Sequence, residues 1–215
     1  MAITTLLVDD EPLVRSGLRA VLAGAEDIDV VGEAGDGAEV PALMARLRPS
    51  VVLMDVRMPR IDGISATQRL MAAADPTKVL VVTTFENDEY VYAALRAGAS
   101  GFLLKRSQPD EIVQAVRTVA AGDSLLFPAA IRRLVGSFGA GTEPDSVKRL
   151  SRRERGVLLL MARGMSNAEI AGELFVTVET VKTHVGAVLG KLGARNRTQA
   201  VIHAYESGFI SSAPP

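Results

Sequence analysis

Short apolar runs alternate with amphipathic stretches through the first 120 residues of the chain. The apolar runs predict strands, and stretches with apolar residues three or four positions apart predict helices. The predicted strands are Ile3–Val8, Ile28–Ala34, Val51–Asp55, Lys78–Thr83 and 100–104, and a helix is predicted after each, at 12–22, 37–47, 62–74, 87–97 and 109–121. Five strand–helix repeats predict an α/β domain with a five-stranded parallel sheet, helices on both faces and right-handed crossovers.

The residues after 122 follow a different pattern. A helix is predicted at 129–138, and the Gly- and Pro-containing stretch 139–145 is typical of a flexible linker. Capping-box patterns then begin at Ser151 and Ser166, and Thr177 is a further candidate N-cap. Short helices joined by three- or four-residue turns indicate a helix-turn-helix. The sequence therefore predicts a first domain at 1–122, a linker with a helix at 123–147 and a small all-α domain of four helices at 148–215.

Composition narrows the chemistry available to the chain. Its 215 residues include no cysteine and two histidines, which excludes disulfides and thiolate metal sites and disfavours a multi-histidine site. The net charge of −1 conceals a division: residues 1–123 hold 12 Lys and Arg against 18 Asp and Glu, a net −6, whereas residues 145–215 hold 10 against 6, a net +4. An acidic half suits a metal ion, and a mildly basic half suits nucleic acid.

The sequence gives no sign of a membrane segment. Hydrophobic residues make up 48% of the chain, yet no apolar run approaches the ~20 residues that a membrane-spanning helix needs. The first residues lack the basic region of a signal peptide and lead directly into a strand pattern. We therefore expect a cytoplasmic protein with no membrane partner.

Polar side chains follow several of the predicted strands. The strand ends carry, in chain order, Asp9 and Asp10, Asp55, Thr83 and Lys105. Carboxyl ends of parallel strands meet at one edge of the sheet, where ligands bind in open α/β folds. Three carboxylates suit Mg²⁺, and with a lysine and a hydroxyl they can hold a phosphoryl group. Alone, Asp55 is equally well explained as a loop cap; its neighbours favour a covalent nucleophile.

This set of residues resembles the receiver domain of two-component response regulators, over residues 3–121. The resemblance implies a flavodoxin-like fold in which Asp55 accepts phosphate from a sensor histidine kinase. It also implies that Asp10, Asp55 and the backbone carbonyl of Arg57 are ligands of Mg²⁺, and that Asp9 acts through a metal-bound water.

Three further residues extend the resemblance. Thr83 and Lys105 would contact phosphoryl oxygens, and Phe102 stands where receivers carry a rotating aromatic switch, with an ordinary core position as the alternative. Most receivers have proline after this lysine, whereas here Arg106 follows. We therefore expect no cis peptide at that bond, and we expect Ser107 to cap the next helix.

The third helix predicted in the basic half, Val178–Leu192, has two different faces. One face is a core stripe of Val181, Val185, Val188, Leu189 and Leu192. The opposite face carries Glu179, Lys182, Thr183, Gly186 and Gly190. Two glycines cost a helix about 1 kcal/mol each relative to alanine. A face with two glycines would let the backbone approach a DNA groove, although a merely solvated face explains it equally well.

Residues 166–171, 180–185 and 191–192 are similar to the LuxR-type helix-turn-helix, and with the receiver in front the chain resembles the NarL/FixJ family of response regulators. The family implies that Lys182 and Thr183 face base edges in the major groove. Relatives often carry a polar base reader at the position of Gly186, so one contact is expected to be missing. The candidate phosphate contacts are Lys191, Arg195 and Arg197, each equally well explained as surface charge. We expect His184 to be packed or to face a phosphate, with contact to a base as the alternative.

The resemblance also implies how the domains cooperate. Phosphate on Asp55 would remodel the face at 87–121 and so free the second domain, promote a homodimer, or both. The fourth helix of the second domain, with Val201, Ala204 and Tyr205, would pair two copies on inverted DNA half-sites.

Two other functions compete with a phosphorylation-switched transcription regulator. The first is constitutive DNA binding, with the receiver serving only for dimerisation. The second is an enzyme, a phosphohydrolase that forms an aspartyl-phosphate. Haloacid-dehalogenase-type enzymes need a second Asp two residues after the nucleophile, and Arg57 occupies that position. We therefore expect a regulator rather than an enzyme.

Overall fold

The chain folds as two units, residues 1–122 and 123–215, in a computed structural model that describes residues 2–73, 77–84, 88–122 and 145–210. The predicted helix at 129–138 lies outside the described residues. The assignment of 123–147 as a linker therefore stays a prediction.

Five parallel strands form the centre of the first unit. They are β1 (Ile3–Val8), β2 (Ile28–Ala34), β3 (Val51–Asp55), β4 (Lys78–Thr83) and β5 (Gly101–Leu104). The strand order is β2-β1-β3-β4-β5, and all neighbouring pairs are parallel. This order confirms the predicted flavodoxin-like sheet, whose ligand crevice lies where the order reverses, between the carboxyl ends of β1 and β3.

Helices follow the strands as the hydrophobic pattern predicts. They are α1 (Pro12–Ala23), α2 (Val40–Leu47), α3 (Gly63–Ala72), α4 (Asp88–Ala97) and α5 (Pro109–Ala120). The helix predicted at 37–47 is divided, because Gly37–Glu39 forms a separate 3-10 turn capped by Asp36. Pro41 lies in the first turn of α2, a position that tolerates its missing N–H.

The start of α5 differs from the sequence expectation. The N-cap is Gln108 rather than Ser107, because the backbone N–H of Gln108 donates to Glu111 Oε2 at 2.9 Å and Pro109 occupies the first turn. The Ser107 backbone N–H instead donates to the Leu104 carbonyl. Within the described residues no peptide bond is cis, as expected for the bond after Lys105.

The central strand β3 is buried along its whole length. Val51, Val52, Leu53 and Met54 are at most 1% exposed, and burial of each such side chain stabilises the fold by about 1.5–3 kcal/mol. Asp55 is the last residue of this strand, so its backbone is fixed by a fully buried strand at the centre of the sheet.

The second unit is helical. Its described helices are α6 (Asp145–Lys148), α7 (Arg152–Ala162), α8 (Asn167–Leu174), α9 (Val178–Leu192) and α10 (Arg197–Glu206). The predicted N-caps are confirmed, since the side chains of Ser151, Ser166 and Thr177 each accept a backbone N–H three residues later. The four predicted helices are present, preceded by the single turn α6.

The stripe predicted on α9 faces the core. Val181, Val188 and Leu192 are buried and Val185 and Leu189 are half-buried, while α9 packs against α7, α8 and α10. Among the residues that the structure describes, no helix combines the length and apolar character required to cross a membrane.

Candidate functional site

Three carboxylates meet at the edge of the sheet where β1 and β3 end. Asp9 is 1% exposed and Asp55 is 6% exposed, and Asp10 is exposed. One carboxylate oxygen from each lies within 4.8 Å of those of the other two. All three donors are hard oxygen ligands at a spacing that a single ion can bridge, so the cluster fits Mg²⁺.

Lys105 reaches into this cluster from the loop after β5. Its Nζ lies 2.7 Å from Asp9 Oδ2, 3.3 Å from Asp55 Oδ2 and 3.4 Å from Glu11 Oε1. The Lys105 side chain is 10% exposed, and its backbone N–H donates to the Thr83 carbonyl at 2.8 Å. The lysine is therefore held by both its backbone and its ammonium group.

Burial and neighbouring charges both shift the pKa values of Asp55 and Lys105. Burial raises the pKa of Asp55 to about 6, an effect that the Lys105 charge opposes and the Asp9 charge reinforces. Burial works to lower the pKa of Lys105, but hydrogen bonding to Asp9 and the charge of Asp55 raise it overall. Two buried carboxylates thus share one ammonium group, which favours a second cation at the cluster.

The backbone around Asp55 is closely packed. The Val56 N–H donates to Asp55 Oδ1 at 2.8 Å. A Cβ on Gly63 would lie 1.9 Å from the Asp55 carbonyl oxygen, so any larger residue at position 63 would displace the strand end that carries Asp55. Sequence reasoning missed Gly63, because a glycine in a loop does not reveal which backbone it abuts.

The backbone of Asp9 is held by a side chain of α1. Its backbone carbonyl accepts Arg15 Nη1 at 2.6 Å, and Arg15 Nε donates to Glu33 Oε2 at 3.1 Å. Asp9 Oδ1 also accepts the Glu11 N–H at 2.9 Å. The sequence pattern of α1 does not reveal that the Arg15 side chain turns back toward the strand end.

The other residues that carry the resemblance to a receiver lie on neighbouring elements. Thr83 ends β4 and is 5% exposed, one residue beyond Val82, the partner of Asp55 in the β3–β4 register. Phe102 is half-buried in β5. Arg57 lines an open cleft of about 460 Å³ beside Asp10.

The exposed face of α9 carries the residues predicted to read DNA. Lys182, Thr183 and Gly186 are exposed, and His184 is half-buried. A Cβ on Gly186 or Gly190 would meet no described atom within 4 Å. The glycines therefore leave this face flat without being required by packing inside the unit.

The candidate phosphate contacts divide into different environments. Arg195 is exposed. Lys191 Nζ instead lies 2.8 and 2.7 Å from the two carboxylate oxygens of Glu154. Glu154 is 7% exposed, and a buried carboxylate needs such a partner. The two residues lie 37 positions apart, so local sequence patterns do not reveal the pair.

The position of Arg197 corrects the expectation that it contacts a DNA phosphate. Arg197 is 4% exposed and donates to the Met165 carbonyl and to Asn167 Oδ1. It links the start of α10 to the start of α8. Its guanidinium group therefore bonds within the unit and is not available to a DNA phosphate.

The fourth helix of the second domain also requires a correction. Val201, Ala204 and Tyr205 were expected to pair two copies, yet they are 1%, 0% and 3% exposed. The helix α10 packs against α7 and α9, and its apolar residues belong to that packing. They are not available to a second copy while the unit is folded.

Family models match both units of the chain. A model described as "Response regulator receiver domain" matches residues 5–117. A second, described as "Bacterial regulatory proteins, luxR family", matches residues 148–204.

Known proteins resemble the chain along nearly its full length. The "Uncharacterized transcriptional regulatory protein YxjL" of Bacillus subtilis (strain 168) is 41% identical over 212 residues, covering 97% of both chains. "Transcriptional regulatory protein LiaR" of the same organism is 39% identical over 210 residues, covering 97% of this chain and 100% of LiaR. The solved structure of the two-component response regulator RcsB–DNA complex is 26% identical with a TM-score of 0.56, covering 96% of this chain and 99% of RcsB.

Proposed function

The chain belongs to the family of response regulators that join a receiver domain to a LuxR-type DNA-binding domain, and we propose that phosphorylation of Asp55 controls its action on transcription. One observation carries the proposal: the buried Asp55 carboxylate lies among Asp9, Asp10 and Lys105 at the end of the central strand. This arrangement supplies a nucleophile, a cation site and a fixed ammonium group together.

Asp55 is the acceptor in this mechanism. A carboxylate oxygen of Asp55 attacks the phosphorus of a phosphohistidine on a sensor histidine kinase, the P–N bond breaks, and the histidine nitrogen leaves with the bonding electron pair. Asp10, Asp55 and the Arg57 carbonyl would bind Mg²⁺, with Asp9 acting through a water. When bound, Mg²⁺ offsets the charge on the phosphoryl oxygens.

Lys105 and Thr83 respond to the product. A phosphoryl group on Asp55 carries about −1.5 to −2 charge and strong acceptor oxygens, so the ammonium group of Lys105 shifts its pairing from Asp9 toward that group. The Thr83 hydroxyl donates to another phosphoryl oxygen, and the half-buried Phe102 moves inward as the strand ends adjust. The face made by α4, β5 and α5 changes as a result.

This change is the link to DNA. It frees the second domain, promotes a homodimer, or both, and the two states need differ by only a few kcal/mol for phosphate to shift their populations. In the DNA complex α9 lies in the major groove, with Lys182 and Thr183 at base edges and His184 and Arg195 beside phosphates. A homodimer would bind inverted half-sites.

Chemical labelling tests the acceptor directly. Wild-type protein incubated with labelled acetyl phosphate and Mg²⁺ should acquire one hydroxylamine-sensitive acyl phosphate, and the Asp55→Asn variant should acquire none. Asp110→Asn, in the exposed first turn of α5, is the matched control and should label like wild type. Equal labelling of Asp55→Asn would refute the assignment.

The same assay separates the two rival functions. A protein that binds DNA constitutively and uses its receiver only for dimerisation would remain unlabelled even as wild type. A phosphohydrolase would release inorganic phosphate through many turnovers of a phosphoester substrate. We expect stoichiometric labelling with slow loss of the label.

A further inference from the structure

Another buried carboxylate lies outside the acid cluster, in the turn after β2. Asp36 is 3% exposed. Its Oδ1 accepts the N–H of Ala38 at 2.8 Å and of Ile61 at 3.3 Å, and its Oδ2 accepts the N–H of Arg60 at 2.9 Å. Two of these three donors lie 24 and 25 residues away in sequence. They belong to the segment 56–62, which joins Asp55 to α3 and is here named the acceptor loop.

Gly37 brings the same turn against the acceptor loop. Its N–H donates to the Ile61 carbonyl at 3.2 Å, and a Cβ on Gly37 would lie 2.5 Å from that oxygen. A side chain at position 37 would therefore force the two backbones apart. Asp36 and Gly37 together hold both the N–H and the C=O of Ile61.

The beginning of the acceptor loop is held separately. The Gly63 N–H donates to the Val56 carbonyl at 3.0 Å, and Gly63 lies against the backbone of Asp55. Arg57, whose carbonyl is a proposed metal ligand, lies between this closure and the Asp36 contacts. The direction of that carbonyl therefore depends on how both ends of the loop are fixed.

The ion pair of Asp36 does not explain its burial. Arg60 Nε is 3.5 Å from Asp36 Oδ2, and the Arg60 side chain is 67% exposed. Such an exposed pair contributes little. The backbone N–H groups, which stay with the loop whatever side chain it carries, are the strong partners of this carboxylate.

We propose that Asp36 is a positioning residue for phosphoryl transfer: by holding Arg60 and Ile61 it orients the acceptor loop, and it thereby sets the affinity of the acid cluster for Mg²⁺. This inference rests on the proposed function of Asp55. Residues that orient a metal ligand typically change metal affinity by about 10- to 100-fold when they are removed.

Three variants of the full chain test this role. Asp36→Ala removes all three acceptor contacts. Asp36→Asn keeps an oxygen for Ala38 and Ile61 but turns an NH₂ group toward the N–H of Arg60. Arg60→Ala removes the ion pair and leaves the backbone donors in place, so it is the matched control.

Three measurements apply to each variant. Mg²⁺ binding is followed by NMR titration of the unphosphorylated protein, amide hydrogen exchange is measured at Arg60 and Ile61 without Mg²⁺, and phosphorylation by acetyl phosphate is measured across Mg²⁺ concentrations. For Asp36→Ala we expect a Kd for Mg²⁺ about 10- to 100-fold higher, faster exchange, and a slow reaction at low Mg²⁺ that saturating Mg²⁺ largely restores. Asp36→Asn should be intermediate, and Arg60→Ala should stay within about twofold of wild type.

The outcomes distinguish a failure of the positioning role of Asp36 from a failure of the proposed function of Asp55. Wild-type affinity for Mg²⁺ in Asp36→Ala overturns the positioning role, as does a loss of rate that saturating Mg²⁺ does not restore. If Asp36→Ala fails to fold by circular dichroism, Asp36→Asn decides between the same two results. If the wild type neither binds Mg²⁺ nor becomes labelled, the proposed function of Asp55 itself fails.

Discussion

Asp55 combines two properties that conflict at the scale of a single residue, because it is buried and the proposed phosphorylation requires it to be ionised. Burial raises its pKa to about 6 from an ordinary 3.8. In the unfolded chain the group ionises near its ordinary pKa, so the metal-free folded state loses stability as the pH rises from about 4 to 6, and the loss persists above 6. Ionised Asp55 therefore destabilises the metal-free receiver.

Removing the charge at residue 55 should stabilise the metal-free protein. We expect Asp55→Asn to raise the free energy of unfolding by about 1–3 kcal/mol at pH 8 without Mg²⁺, and to change it little below pH 4. Urea unfolding followed by circular dichroism at the two pH values measures this. Asp29→Asn, at an exposed position of β2, should show neither effect. A lower stability of Asp55→Asn at pH 8 would contradict the account.

The residues of the site differ in how far the sequence reveals them. Asp9, Asp55 and Lys105 lie at the carboxyl ends of predicted strands, and parallel topology then brings them to one edge. The sequence does not reveal the roles of Asp36 and Gly63, because both act through contacts with the backbone of distant or neighbouring residues. Those contacts depend on loop conformation, which no periodic hydrophobic pattern encodes.

At the scale of elements, hydrophobic periodicity predicted the strands and most of the helices, because one buried face imposes its spacing on the sequence. The ends were less predictable. The N-cap of α5 is Gln108 and not Ser107, because Gln108 forms a capping box with Glu111. The apolar residues of α10 pack inside the unit rather than in a dimer interface. Apolar spacing alone does not show whether a helix packs against its own domain or against a second copy.

The glycines of α9 allow a direct test of its exposed face. A Cβ on Gly186 has open space among the described residues, so Gly186→Ala should raise the free energy of unfolding by about 0.5–1 kcal/mol through helix propensity. We expect DNA affinity to stay within about twofold. Gly17→Ala in α1, where a Cβ is equally unobstructed, is the matched control. A tenfold loss of DNA affinity in Gly186→Ala alone would mean that the bare backbone contacts DNA.

The pair Glu154–Lys191 joins the start of α7 to the end of α9. Hydrogen bonding from Lys191, with that from the Ser151 backbone, lowers the pKa of Glu154 to about 2 from an ordinary 4.5. Its stabilisation is therefore complete above about pH 4.5 and is lost as the pH falls toward 2.

Replacing Glu154 should expose this dependence. Because the Lys191 side chain is 40% exposed and solvent screens the pair, we expect Glu154→Gln to lower the free energy of unfolding by about 1–2 kcal/mol at pH 7. The difference from wild type should shrink as the pH is lowered from 5 toward 2 in unfolding experiments. Glu169→Gln changes the corresponding capping box of α8 and should have a smaller effect. A deficit that does not vary with pH would argue against the ion pair.

At the scale of the whole molecule, the charge division of the sequence follows the boundary between the two units. The acidic first unit carries the carboxylate cluster, and the basic second unit carries the exposed face of α9. The order of the strand and helix patterns along the sequence, with the spacing of the motifs, was sufficient to predict the fold class of both units. The sequence does not predict how Asp55 would influence α9, because that effect depends on the relative free energies of the unphosphorylated and phosphorylated conformations.

Control of DNA binding by phosphorylation of Asp55 is tested by the DNA affinity of the full chain with and without acetyl phosphate and Mg²⁺, compared between wild type and Asp55→Asn. A DNA selection supplies the binding site, and a binding titration supplies the affinity. We expect the phosphodonor to strengthen wild-type binding about 5- to 150-fold, the range of typical coupling free energies, and to leave Asp55→Asn unchanged. An Asp55→Asn protein whose DNA affinity rises with the phosphodonor as the wild type does would contradict the account.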